Sequence, residues 1–121
     1  MVDENVPMAL FLIIEPDEDI RRLYAAVVRG LGHEAAFFNG SSATDPDVVL
    51  VEPANPESFA VALQLQRDKP RLPVVCASIH KAAPDMVHVL QASTHLLKPF
   101  SLVELTDALQ LALSQSDPLS R

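Results

Sequence analysis

Three short runs in the chain are apolar without interruption: Ala9–Ile14 (ALFLII), Val48–Val51 (VVLV) and Pro73–Ala77 (PVVCA). Runs of this length, closed by Glu15-Pro16, Glu52 and Ser78, predict strands buried on both faces. Between them the apolar period changes to that of a helix. Ile20, Leu23, Tyr24, Val27, Val28 and Leu31 form one stripe behind Asp17-Glu18-Asp19, with Gly30 and Gly32 as stops. Asn55-Pro56-Glu57 predicts a cap, a proline in the first turn and an acid behind it. The helix it opens runs to about Arg67 through Phe59, Ala62, Leu63 and Gln66. Glu34–Phe38 and His95–Leu97 predict two shorter strands, and Pro84–Gln91 a short helix with Met86, Val87 and Leu90 inward. Ser101-Leu102-Val103-Glu104 is a capping box for a last helix whose stripe is Leu102, Leu105, Leu109, Ala112 and Leu113.

Apolar strands alternating with amphipathic helices predict an α/β fold, a parallel sheet covered by helices on both sides. Ligands of such sheets gather beyond the carboxyl ends of the strands. Glu15, Glu52, Ser78 and Lys98 all stand there. The 121 residues suit one domain, expected over 9–114, with a loose tail at 1–8 and a tail or linker at 115–121. Hydrophobic residues make up 49%, enough for a sizeable core, and a net charge of −7 disfavours direct contact with nucleic acid or anionic lipid. The single cysteine, Cys76, rules out a disulfide within the chain and a four-cysteine zinc site, and reads as a buried structural thiol. No run approaches the ~20 apolar residues of a membrane span, and no secretion signal opens the chain, so a cytoplasmic location is expected. His33, His80 and His88 show no paired metal spacing.

The segments I14-E-P-D-E-D-I-R-R-L, P46-D-V-V-L-V-E52, L72-P-V-V-C-A-S78 and H95-L-L-K98-P-F-S-L-V-E-L together resemble the receiver domains of bacterial response regulators, from about Ala9 to Ser114. The resemblance implies a flavodoxin-like sheet of five parallel strands in the order 2-1-3-4-5. It also implies a site at their ends: two adjacent acids that help hold Mg²⁺, a phospho-accepting aspartate, a hydroxyl and a lysine that bind phosphoryl oxygens, and an aromatic switch residue. Position by position these become Glu15 and Pro16, Glu52, Ser78, Lys98 and His95. A cis Lys98–Pro99 bond is implied as well.

Two departures bear on chemistry. Pro16 has no carboxylate for a metal that demands tight octahedral geometry. Glu52 is a methylene longer than aspartate, in a reaction that depends on positioning. The expectation is a pseudo-receiver that is not an enzyme and binds Mg²⁺ weakly or not at all, with Glu15, Asp17 and Glu52 as weak candidate ligands. Asp17 has two readings, a metal ligand or the cap of the first helix. Glu52 also has two, an ion pair with Lys98 or an imitation of a phosphorylated aspartate. The chain would work through a protein partner or a homodimer. The partner surface implied by the resemblance is Pro84–Gln91, His95–Leu97 and Ser101–Ser114, and a linked output domain would lie outside this sequence. The competing reading is a working Mg²⁺-dependent, phospho-accepting receiver. A flavin binder is disfavoured, because no phosphate loop follows the first strand. Finally, Asn39–Asp47 is too short and too rich in turn formers for the helix that normally joins strands 2 and 3. That side of the sheet should therefore be open, with Phe37 or Phe38 thinly covered.

Overall fold

The computed structural model describes residues 8–39, 45–78, 90, 94–97 and 100–115. Five strands form one parallel sheet: β1 (Leu10–Ile14), β2 (Glu34–Phe37), β3 (Val48–Val51), β4 (Val74–Ser78) and β5 (Thr94–Leu97), in the order β2-β1-β3-β4-β5. The helices among the described residues are α1 (Glu18–Gly30), α2 (Pro56–Asp68) and α3 (Leu102–Gln115). The α/β class and the strand order are those the sequence led us to expect. No helix is found among the described residues between β2 and β3. Residues 38–39 and 45–47 are non-helical, and 40–44 lie outside the described set.

Alternation along the strands divides the core into two halves. Phe11 and Ile13 of β1, Val48 and Leu50 of β3, and Val75 and Ala77 of β4 face α1 and α3, where Tyr24, Val28, Leu105 and Leu109 meet them. Leu12, Ile14, Val49, Val51, Val74 and Cys76 face the other way, toward Ala62 of α2 and Leu90. A strand covered on both faces has no polar side to show, which is why β1, β3 and β4 read as unbroken apolar runs.

The helix ends follow their local chemistry. Asp17 caps α1, its Oδ1 accepting the Ile20 N–H at 3.1 Å. At the other end Gly32 takes φ +90°, a conformation that strains any residue with a Cβ. Its N–H donates to Arg29 O, and that of His33 to Val28 O, which closes the helix in a Schellman motif. Asn55 caps α2 through Ser58 N–H at 2.9 Å. Ser101 and Glu104 exchange bonds at 3.1 and 3.2 Å, the capping box expected for α3.

Two stripe residues differ from expectation. Leu23 is 47% exposed and Leu102 58%. Both leucines sit at the margin of their stripe, where a 3.6-residue period alone does not separate core from rim. The expected helix at Pro84–Gln91 lies outside the described residues, apart from the buried Leu90.

Candidate functional site

Strand register brings the candidate residues to one end of the sheet. Ile14 stands beside Val51, Val51 beside Cys76, and Cys76 beside His95. Glu15 and Glu52 therefore occupy the next row of the sheet, their strands held together there by Glu52 N–H donating to Ile14 O at 3.1 Å. Ser78 lies one row further and is the last residue of β4, rather than the first residue after it. Lys98 follows Leu97, the last residue of β5, and falls outside the described residues together with the Lys98–Pro99 bond. His95 lies on β5, but its side chain is also outside the description.

Glu15, Glu52 and Ser78 are all buried. Two carboxylates removed from water require polar partners, and their own loops supply some of them. Glu15 Oε2 accepts the Asp17 N–H at 3.1 Å, and Glu52 Oε2 the Ala54 N–H at 3.3 Å. Asp17 acts as the α1 cap, and Pro16 is exposed between the two acids. Among the described residues, no group of three or more His, Cys, Asp or Glu side chains gathers as a metal site would require.

Two residues at this end of the fold, Arg21 and Tyr24, were not singled out from the sequence as site residues. Arg21 donates from Nη1 to the carbonyls of Glu15 and Pro16 at 2.9 and 3.2 Å, fixing the turn that carries the acids. Its guanidinium also lies 5.9 Å from the centre of the Phe37 ring. Tyr24, read only as part of a stripe, is 2% exposed and stacks with Phe100 at 6.2 Å. Its hydroxyl has no hydrogen-bond partner among the described residues. Burial raises its pKa well above the usual phenol range, and the negative charges of Glu15 and Glu52 raise it further. Cys76 is the buried thiol the sequence led us to expect: burial, followed by the charge of Glu52, pushes it up to about 12, so it stays protonated and inert at neutral pH. A tyrosine in an otherwise aliphatic stripe, close to a strand that ends in an acid, is the signal that could have found this pocket.

Beside the acids a cleft of about 170 Å³ opens between β1 and α2, lined by Glu15, Pro16, Arg21, Phe38, Asn55 and Val61 among others. Phe38 is half-buried there, and Phe37 is 39% exposed on the opposite face. No described helix is long and apolar enough to cross a membrane.

No protein-family model and no curated protein matches the chain. Solved structures do match it. A response regulator receiver domain protein (CheY-like) from Methanospirillum hungatei gives a TM-score of 0.79 at 13% identity, covering 91% of this chain and 97% of that one. The response regulator TrrA from Thermotoga maritima, in complex with Mg²⁺-BeF, gives 0.73 at 19% identity, covering 88% and 100%. NtrX from Brucella abortus, in complex with ATP, gives 0.77 at 26% identity over 91% of this chain, which spans only 28% of the NtrX chain. The fold is that of a response-regulator receiver domain.

Proposed function

We propose that this chain is a signalling receiver domain of the two-component type that acts through contact with another protein and does not depend on phosphorylation. The observation that carries the reading is the pair of replacements at the strand ends. A buried Glu52 follows β3 where a receiver keeps its phospho-accepting aspartate, and an exposed Pro16 follows Glu15 where the second acid belongs. Mg²⁺ keeps near-ideal octahedral oxygen geometry. Glu15 and Glu52 each hold a backbone N–H of their own loop, Asp17 caps α1, and Pro16 supplies no carboxylate, which supports weak or absent binding of the ion.

Contact with a partner is supported by what the fold leaves uncovered. On α3, Leu102 and Val103 are 58% and 68% exposed, and they lie on the element that the receiver resemblance assigns to partners. The negative net charge and the absence of a membrane-length helix among the described residues suit a cytoplasmic protein–protein role better than one at a membrane or on nucleic acid.

Thermal melting with and without Mg²⁺ tests the metal half of the reading. A native-state site with a Kd of ~0.1 mM would contribute about 2.7 kcal/mol at ~10 mM ion. In a domain of this size that raises Tm by roughly 10 °C. We expect no such rise, and a clear one at low-millimolar Mg²⁺ would sink the claim.

A further inference from the structure

β2 is an edge strand, paired with β1 on one side only. Glu34 N–H donates to Ala9 O at 2.9 Å and Phe38 N–H to Ile13 O at 3.0 Å, so the peptide groups of 34, 36 and 38 turn inward. By the alternation of a strand, those of Ala35 and Phe37 turn outward. Side chains alternate across the sheet as well. Ala35 and Phe37, in register with Phe11 and Ile13, lie on the α1 face, and Ala36, in register with Leu12, lies on the α2 face.

Natural edges are usually blunted with lysine, proline or a bulge. β2 has none of these, and its one charge, Glu34, sits at its end. We propose that β2 pairs antiparallel with β2 of a second copy of this chain, about a two-fold axis through Ala36 perpendicular to the sheet. This inference rests on the contact-based reading above and names the partner.

The register follows from three constraints. An axis through Ala36 sets Ala35 opposite the partner's Phe37, on the same face, and these are the residues whose outward groups meet no described residue. Each such pair exchanges both backbone bonds, about four in all. An axis through Ala35 would instead need His33 N–H, which already donates to Val28 O at 3.2 Å. The side chains agree: the small Ala35 leaves room for the facing ring, which Arg21 covers from above. The two Glu34 carboxylates end roughly 14 Å apart along the ladder, beyond the screening length at physiological salt.

Sedimentation of the full chain, with two kinds of variant, tests the proposal. Ala35→Pro removes an outward donor and leaves the β1–β2 ladder intact. It is expected to weaken dimerisation about tenfold or more, from the loss of bonds worth ~1 kcal/mol each at two symmetric places. Ala36→Cys places two thiols on the axis with Cα atoms ~4.5 Å apart, within reach of a disulfide. Ala35→Cys leaves them about 7–8 Å apart, too far to bridge. Under mild oxidation A36C should crosslink and A35C should not, while fully buried Cys76 stays out of the reaction. This readout stands even if the proline variant does not fold. A chain that is monomeric at every concentration overturns the proposal, and so does a monomer whose β2 edge takes up an extended peptide of another protein. A dimer that keeps its strength in A35P and leaves A36C uncrosslinked also overturns it, but leaves contact-based function standing on another face.

Discussion

Replacing Pro16 and Glu52 together by aspartate is expected to give a chain that takes up one phosphoryl group from a small acyl phosphate in the presence of Mg²⁺. The reason is geometric. Phosphoryl transfer needs little from the protein beyond placing the nucleophile, the metal and the oxygen-binding groups, and misplacement by ~1 Å can cost about 100-fold. Glu52→Asp retracts the carboxylate by roughly one carbon–carbon bond length, ~1.5 Å, toward the end of β3. Pro16→Asp supplies the hard oxygen ligand absent beside Glu15, at an exposed position where a carboxylate carries little desolvation cost. Ser78 is already in place at the end of β4. The double variant should react at least ~100-fold faster than either single variant, because each alone leaves one requirement unmet. Intact mass measured over time reads this directly. A folded double variant that stays unmodified would show that the pocket is blocked by more than these two residues, with the buried Tyr24 the first to examine.

The second large effect is on stability. Leu50 is fully buried in β3, the central strand, and belongs to the half of the core that α1 and α3 cover. Leu50→Ala removes its side chain from a site closed by strands on both sides, where little can move in to fill the space. The expected loss is about 3–5 kcal/mol, against a total stability of ~5–15 kcal/mol for such a domain, and Tm should fall by roughly 10–20 °C. Leu102→Ala on exposed α3 is the control and should stay within about 0.5 kcal/mol. A Leu50→Ala loss below about 1 kcal/mol would mean that the two-sided core is assigned wrongly.

The fold was legible because burial on both faces leaves a strand no choice of residue type. The runs at Ala9–Ile14, Val48–Val51 and Pro73–Ala77 could hardly be anything else, and the Ser101–Glu104 and Asn55–Pro56 signals placed helix starts to the residue. Leu23 and Leu102 were misread because the margin of a stripe is decided by the neighbouring element, which periodicity does not contain. The site was legible in part. Glu15, Glu52 and Ser78 come together because parallel strands end on one side of the sheet, a consequence of topology. Tyr24 was missed because it fits a helical stripe like its aliphatic neighbours. Only the tertiary structure shows its hydroxyl buried without a partner among the described residues, close enough to the two acids for their charges to act on it. Arg21 was missed for a related reason: its carbonyl partners are backbone atoms, which leave no trace in side-chain patterns. The openness beyond β2 was read from the short segment Asn39–Asp47, and the exposure of Phe37 agrees with it.

The central claim is that signalling by this chain does not pass through a phosphoryl group, and the mass of the native protein tests it most directly. The chain is incubated with a small acyl phosphate and Mg²⁺ beside a receiver that does accept phosphate, and both are weighed intact at intervals. The account predicts that the control gains one phosphoryl group while this chain keeps its starting mass throughout. A gain of one phosphoryl group by the native chain, mapped to Glu52 or Asp17, would contradict it.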